Sequence, residues 1–160
     1  MSFIGVITNA KNIDYMLKKL EAYFNQENLF FITEKNIHNM RNIKFETIII
    51  DDKISKLPDL KYIVSNSKYV ILNADIEDDL EMLENLQLMV ISYGFNHKAT
   101  FSISSVSENN MIICLQRTII SIKNKKIEPH EIEISIMPNS SIHAEMCMQI
   151  LCMIYQKIET

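Results

Sequence analysis

With two glycines and three prolines in 160 residues, few positions of this chain can take a positive φ cheaply. Loops that wrap phosphate groups in glycine amides are therefore scarce from the outset. No Gly-Lys-Ser/Thr triplet occurs, which excludes a working P-loop, because that motif needs its glycine amides, its lysine and its hydroxyl together. There is no Cys-x-x-Cys pair, and Cys114, Cys147 and Cys152 lie in apolar contexts. A zinc site is thus not expected, and the thiols are expected to be buried and reduced. No apolar run approaches the roughly 18 residues of a membrane span. The stretch Met1 to Val6 has no basic segment and no cleavage site, so it does not read as a signal peptide, and a cytoplasmic protein is expected. No basic block stands out in a chain of net charge −4, so nucleic acid is not an expected partner. The densest basic cluster, Lys123 to Lys126, reads as a solvated hairpin turn.

What is present is 48% hydrophobic and 22% charged, the balance of a globular chain, and residues 1–160 are expected to form a single domain. The abundance of Ile, Asn and Lys reads mainly as the mark of an AT-rich coding genome. Apolar runs suited to strands fall near residues 3–7, 29–33, 46–51, 69–73 and 88–93. Between the first two, Ile13, Met16, Leu17, Leu20 and Phe24 recur at helical spacing, with Asn12 as the expected N-cap. Glu34 to Asn42 reads as a short helix or a loop, and Leu57 to Ser67 as a weak helix with Pro58 in its first turn. Tyr69 to Asp75, an acidic helical segment from Glu77 to Gln87, and Leu88 to Asn96 have the form of a βαβ unit.

Beyond Asn96 the pattern alternates with period two over Ala99–Val106, Met111–Arg117 and Ile127–Ile136, which predicts an antiparallel three-strand meander. Ser141 to Glu159 reads as one strongly apolar helix. The expected fold class is α/β, a mostly parallel sheet flanked by helices, followed by the meander and a C-terminal helix. Ile150, Ile154 and Ile158 line one face of that helix with Met146 and Cys147, while Met148, Leu151, Cys152 and Tyr155 widen the apolar arc. Such an arc exceeds what one sheet face needs, so self-association through Met148, Leu151, Cys152 and Tyr155 is the expected use of the excess, unless the meander curls over it.

Candidate ligand residues lie at the expected strand ends, where open α/β sheets bind ligands. Asn73 and Asp75 are either remnants of a nucleotide or metal site or caps for the helix that follows. Asn96 and His97-Lys98 follow the glycine-bearing end of the next strand and suit an anion or an exposed loop. The acidic run Glu77, Asp78, Asp79, Glu81 and Glu84 suits a solvated helix face better than a cation site. His38, His130 and His143 are scattered without metal-ligand spacing, and Ser104, Ser105 and Ser107 lack a Gly-x-Ser-x-Gly elbow. No catalytic constellation, metal site or cofactor is expected.

In order along the chain, three stretches resemble the central ATPase domain of the Mur ligases, the cell-wall peptide ligases, and their relatives the folylpolyglutamate synthases. Ile4 to Asn12 sits where that family has its first strand and P-loop. Tyr69-Val-Ile-Leu-Asn-Ala-Asp75 is similar to the family's Asn-x-Asp strand end. Ser92-Tyr-Gly-Phe-Asn96, followed by three strands and a helix from His143, is similar to its glycine-terminated strand, small β-sheet and terminal helix. The departures fall on the chemistry. Lys11-Asn12-Ile13 stands at the Gly-Lys-Ser/Thr position, with Lys11 a displaced phosphate lysine at most, and His143-Ala144 replaces the family's His-Asn pair. The family's flanking domains have no counterpart in these 160 residues. The resemblance therefore implies a non-catalytic binding or protein-interaction module linked to cell-wall metabolism, with an unknown protein partner. The alternative is a small nucleotide- or metabolite-binding enzyme with a rebuilt pocket near Asn73, Asp75 and Asn96.

Overall fold

In a computed structural model of the chain, residues 2–54, 57, 59–76 and 83–158 are described. The fold is α/β with a mostly parallel sheet. By contacts the chain divides into two compact units: residues 1–72 with 76–90, and residues 73–75 with 91–160.

In the first unit the strands β1 (Phe3–Ile7), β2 (Leu29–Phe31), β3 (Phe45–Ile50) and β4 (Tyr69–Asn73) stand in the order β4-β3-β1-β2. All of their pairings are parallel, Ile4 opposite Leu29 on one side of β1 and Thr47 on the other. Phe45 and residues 47–50 are buried without a break, as are residues 69–73, which is the continuous apolar run of strands covered on both faces. One face carries Ile7, Ile48, Ile50, Val70 and Leu72 against Leu60, Ile63 and Val64 of helix α2 (Leu60–Ser65). Helix α1 (Ala10–Leu20) buries Met16 and Leu20, two of the residues its periodicity singled out. Its cap is Asn9 rather than Asn12: the Asn9 Oδ1 accepts the Asn12 amide at 3.2 Å. Glu34 to Asn42 forms only a 3-10 turn at Ile37–Met40. The Glu77–Gln87 helix falls largely on residues 77–82, outside those described. On either side of those residues, Met89 donates to the Lys68 carbonyl and Ala74 donates to the Tyr93 carbonyl.

In the second unit, β5 (Met89–Gly94), of which residues 91–94 belong here, pairs with β6 (Phe101–Val106) in parallel at Tyr93–Phe101 and Gly94–Ser102. The meander reading missed this parallel pair. A connection of only six residues, 95–100, can return the chain only a short way along the preceding strand, so the contact stays at the tips. β6, β7 (Asn110–Leu115) and β10 (Glu131–Ser135) then pair antiparallel, as the alternation predicts. The expected 127–136 strand is divided. Only 131–135 joins this sheet, while β9 (Lys126–Ile127) pairs with β8 (Ile119–Ile120) in a separate ribbon. The ribbon turns at 121–125, where Asn124 takes φ 59° and Ser121 Oγ accepts the Lys125 amide at 3.0 Å. The basic cluster is thus a hairpin turn, as expected.

Helix α3 (Ile142–Ile154) is buried around nearly its whole circumference, the environment that a helix apolar on all sides requires. Met148, Leu151 and Cys152 are 5%, 0% and 4% exposed and Tyr155 is half-buried. The arc assigned to a partner surface is therefore already covered within the chain, and the excess apolar residues give no reason for self-association there. Burial also pushes the Cys152 thiol up to about 11, against a small opposing pull from Lys157. All three cysteines are free thiols. No helix among the described residues is long and apolar enough to cross a membrane.

Because Leu151 is fully buried, Leu151→Ala should lower unfolding free energy by about 2–5 kcal/mol through lost transfer energy and a residual cavity. Urea denaturation followed by circular dichroism measures this. A change below about 1 kcal/mol, the size of an ordinary surface substitution or a little more, would contradict the burial of this helix.

Candidate functional site

Asp75, Asn73 and Asn96 do come together, but chiefly to fold the backbone. Asn73, 6% exposed, accepts the Asp75 amide on its Oδ1 at 3.0 Å, closing a turn just past β4. This aims the Asp75 carboxylate at the end of β5. Its Oδ2 accepts the Phe95 amide at 2.7 Å and its Oδ1 accepts the Asn96 amide at 3.1 Å. Asn96 Oδ1 in turn accepts the Lys98 amide at 2.9 Å, and the carbonyls of His97 and Lys98 take side-chain hydrogen bonds from Gln116 and Arg117. A cap by Asp75 on the helix that follows would fall on residues outside those described; the described partners of Asp75 are the 95–96 turn and His143.

His143 is the residue that sequence reasoning left without a partner. Its Nε2 lies 2.8 Å from Asp75 Oδ2, with the two side chains 27% and 24% exposed. An ionised carboxylate only accepts, so Nε2 carries the proton and donates it. The ring stands edge-on to Phe95 at 5.7 Å between centroids and lies beside Tyr93 at 6.3 Å. Burial opposes ionisation of Asp75, but the hydrogen bonds from His143, Phe95 and Asn96 and the charge of His143 outweigh it and leave the carboxyl below its ordinary value.

The geometry also explains one of the glycines. Gly94 has φ +143°, and a Cβ built there would lie 2.4 Å from Asp75 Oδ2. The missing side chain is thus a condition for the carboxylate reaching the amides of Phe95 and Asn96. An aspartate orienting a histidine is one part of several catalytic arrangements. Among the described residues, however, no group of three His, Cys, Asp or Glu residues could hold a metal ion. Ser104 bonds Glu131 and Ser107 closes the β6–β7 turn on Asn110, so these serines serve the sheet.

Lys11 belongs to the other unit. It is exposed in the first turn of α1, one position beyond Ala10. Nearby, the order β3-β1-β2 makes a topological switch point, since the chain leaves β1 toward β2 and later adds β3 on the opposite side. A crevice of about 560 Å³ opens at these carboxyl ends. Ile7 and Ile32 form its buried floor, and Thr8, Thr33, Lys35, Asp52 and Lys53 line its wall. Thr8 donates to the buried Asp51 at 2.9 Å, joining the ends of β1 and β3. The crevice has the size of small-molecule sites and carries charges of both signs. Periodicity marked these strand ends without showing which pair would flank the switch.

If the Asp75 clamp holds this region, its contribution should follow the carboxylate. The folded-state value is depressed, so the stabilisation is full above the ordinary carboxylate range and is lost as pH falls through the folded-state value. Asp75→Asn should remove that part of the acid-side slope in a series of urea melts between pH 7 and 2. Gly94→Ala should destabilise at all pH values at which the carboxylate is ionised. Wild-type and Asp75→Asn curves of identical slope would show that Asp75 is not the titrating link.

No protein-family model matches the chain, and no curated protein matches it. Among solved structures, the chain is similar over 56% of its length to D-lactate dehydrogenase from Escherichia coli, at 22% identity and a TM-score of 0.36. The match spans 30% of that protein, and a likeness this shallow carries no functional assignment.

Proposed function

We propose that this chain is a binding or protein-interaction module of Mur-ligase-like ancestry that does not itself carry out ATP-driven ligation. The observation that supports this most is the connection between β1 and α1. It consists of Thr8 and Asn9, with Asn9 already the helix cap. A phosphate cradle needs a longer run of backbone amides turned inward, and here the chain passes from strand to helix with no room for one. Lys11 then starts the helix as an exposed side chain with no glycine loop beside it.

Nor do Asn73, Asp75 and Asn96 favour the rebuilt-pocket alternative, because their side-chain oxygens accept backbone amides. A small polar ligand fits the crevice over Ile7 and Ile32 better. The ancestry would set the role beside cell-wall metabolism, and the three free thiols suit a reducing, cytoplasmic compartment.

Incubation with ATP and Mg²⁺ should release no phosphate above buffer, and Lys11→Ala should leave any affinity for ATP·Mg²⁺ unchanged in titration calorimetry. Phosphate release by the wild type, or a micromolar affinity abolished by Lys11→Ala, would overturn the proposal.

A further inference from the structure

The basic turn of the β8–β9 ribbon is more than a solvated loop in one respect: it forms one wall of a cavity. Lys123, Lys125 and Lys126 line a space of about 580 Å³ whose other walls are Ile127, Met153 and Ile158, with the Gln156 amide at its edge. Among the described residues no carboxylate lines it and none pairs with these lysines. In a chain of net charge −4, this is a local reversal of sign. Lysines on an open turn are ordinarily held apart by water and salt, with little consequence.

Two features distinguish this turn. It is fixed in place: Ser121 exchanges backbone hydrogen bonds with Asn124 and Lys125 and caps the Lys125 amide with its hydroxyl, and the Ile122 amide donates to the Ile154 carbonyl at 3.0 Å. The second feature is the state of the α3 terminus. The negative end of a helix macrodipole would normally repel an anion, but here its carbonyls are all engaged. Those of Leu151, Cys152, Met153 and Ile154 accept from Tyr155, Lys157, Gln156 and Ile122. The pairings of Gln156 with Met153 and Lys157 with Cys152, around Gln156 at φ 54°, form a Schellman cap. Three lysines therefore line a cavity beside a helix end whose last carbonyls are already satisfied.

We propose that this cavity binds a small organic polyphosphate, its phosphates met by Lys123, Lys125 and Lys126 and its organic body laid against the half-buried Ile158. Lysine meets phosphate as a point charge and needs no fixed fork geometry, which suits a cluster of three on one turn. A chain of two or more phosphates offers these three lysines more negative charge than a single phosphate does. The site lies apart in sequence from Lys11 and the β1–α1 turn, so it stands or falls separately from the reading of the chain as a non-ligase.

The test uses the whole chain and inorganic pyrophosphate at low and moderate salt. Pyrophosphate should bind with one-site saturation, more tightly than orthophosphate, and lose roughly tenfold or more in affinity between 50 and 200 mM salt, as multiple ionic contacts require. Amide shifts should move over 121–127 and 153–158. A Lys123→Gln, Lys125→Gln, Lys126→Gln triple variant should lose binding while keeping the wild-type urea midpoint, since all three side chains are exposed, and Lys11→Ala should change nothing. ATP should bind more tightly than pyrophosphate if contact with Ile158 contributes. Absence of saturable binding, binding retained by the triple variant, or loss of binding in Lys11→Ala would overturn the proposal. Tighter binding of a single-stranded DNA oligonucleotide than of either small anion would also overturn it, in favour of a nucleic-acid surface.

Discussion

A single carboxylate organises the end of β5. Asp75 accepts two successive backbone amides and a histidine N–H, so three segments far apart in sequence are tied at one point: the exit of β4, the 94–96 turn and the start of α3. Each hydrogen bond to a charged acceptor is worth about 1.5–3 kcal/mol in favourable cases; partial exposure reduces that here. The arrangement is also unforgiving. It needs Asn73 to turn the chain, the absence of a Cβ at Gly94, and an imidazole positioned by the first turn of a helix. Charge-assisted hydrogen bonds to backbone amides are how anion sites are built, and here the anion is supplied by the protein itself. An external anionic ligand would have to displace Asp75 from the same amides.

The second constraint is the covering of α3. A helix whose apolar residues surround its axis has to be enclosed, and this one is enclosed by its own chain: Ala144 to Met148 and Ile150 to Ile154 are buried. The same apolar excess would look identical in sequence had it served a dimer. Only the placement of the remaining elements separates the two cases, and the β8–β9 ribbon helps to settle it. Its Ile122 amide meets the last carbonyl of the helix, and Ile119 and Ile127 are buried.

These features explain how far the sequence could be read. Of the five apolar runs before residue 95, those of β3 and β4 were plainest because strands buried on both faces read as nearly unbroken apolar segments, and the observed bounds of all five differ by at most two residues at an end. The β6, β7 and β10 alternation was equally plain. The division of residues 119–135 into a ribbon and a strand was not, since a two-residue strand leaves no period to detect. Of the candidate site residues, Asn73, Asp75 and Asn96 could be placed at strand ends by pattern alone. Their hydrogen-bond partners could not, and those partners decide between a ligand site and a structural clamp. His143 lies 68 residues from Asp75, beyond any local spacing rule.

The excess of asparagine has a physical role in addition to whatever codon bias produced it. A chain with two glycines still has to turn, and among the described residues four that are not glycine take positive φ: Asn85, Asn124, Asn139 and Gln156. Three of these are asparagine, the residue type that best tolerates the left-handed region after glycine because its short amide can hydrogen-bond the local backbone. Elsewhere Asn9, Asn36, Asn73 and Asn96 use the side-chain oxygen to accept nearby amides, work that serine, threonine or aspartate does in other chains. Polar residues at the ends of parallel strands are therefore weak signs of function in this composition. The strand has to stop and its orphan amides need acceptors, whether or not a ligand arrives. The lysines that line the cavity beside the end of α3 cap no backbone amide, and for that reason they are the more informative polar groups of this molecule.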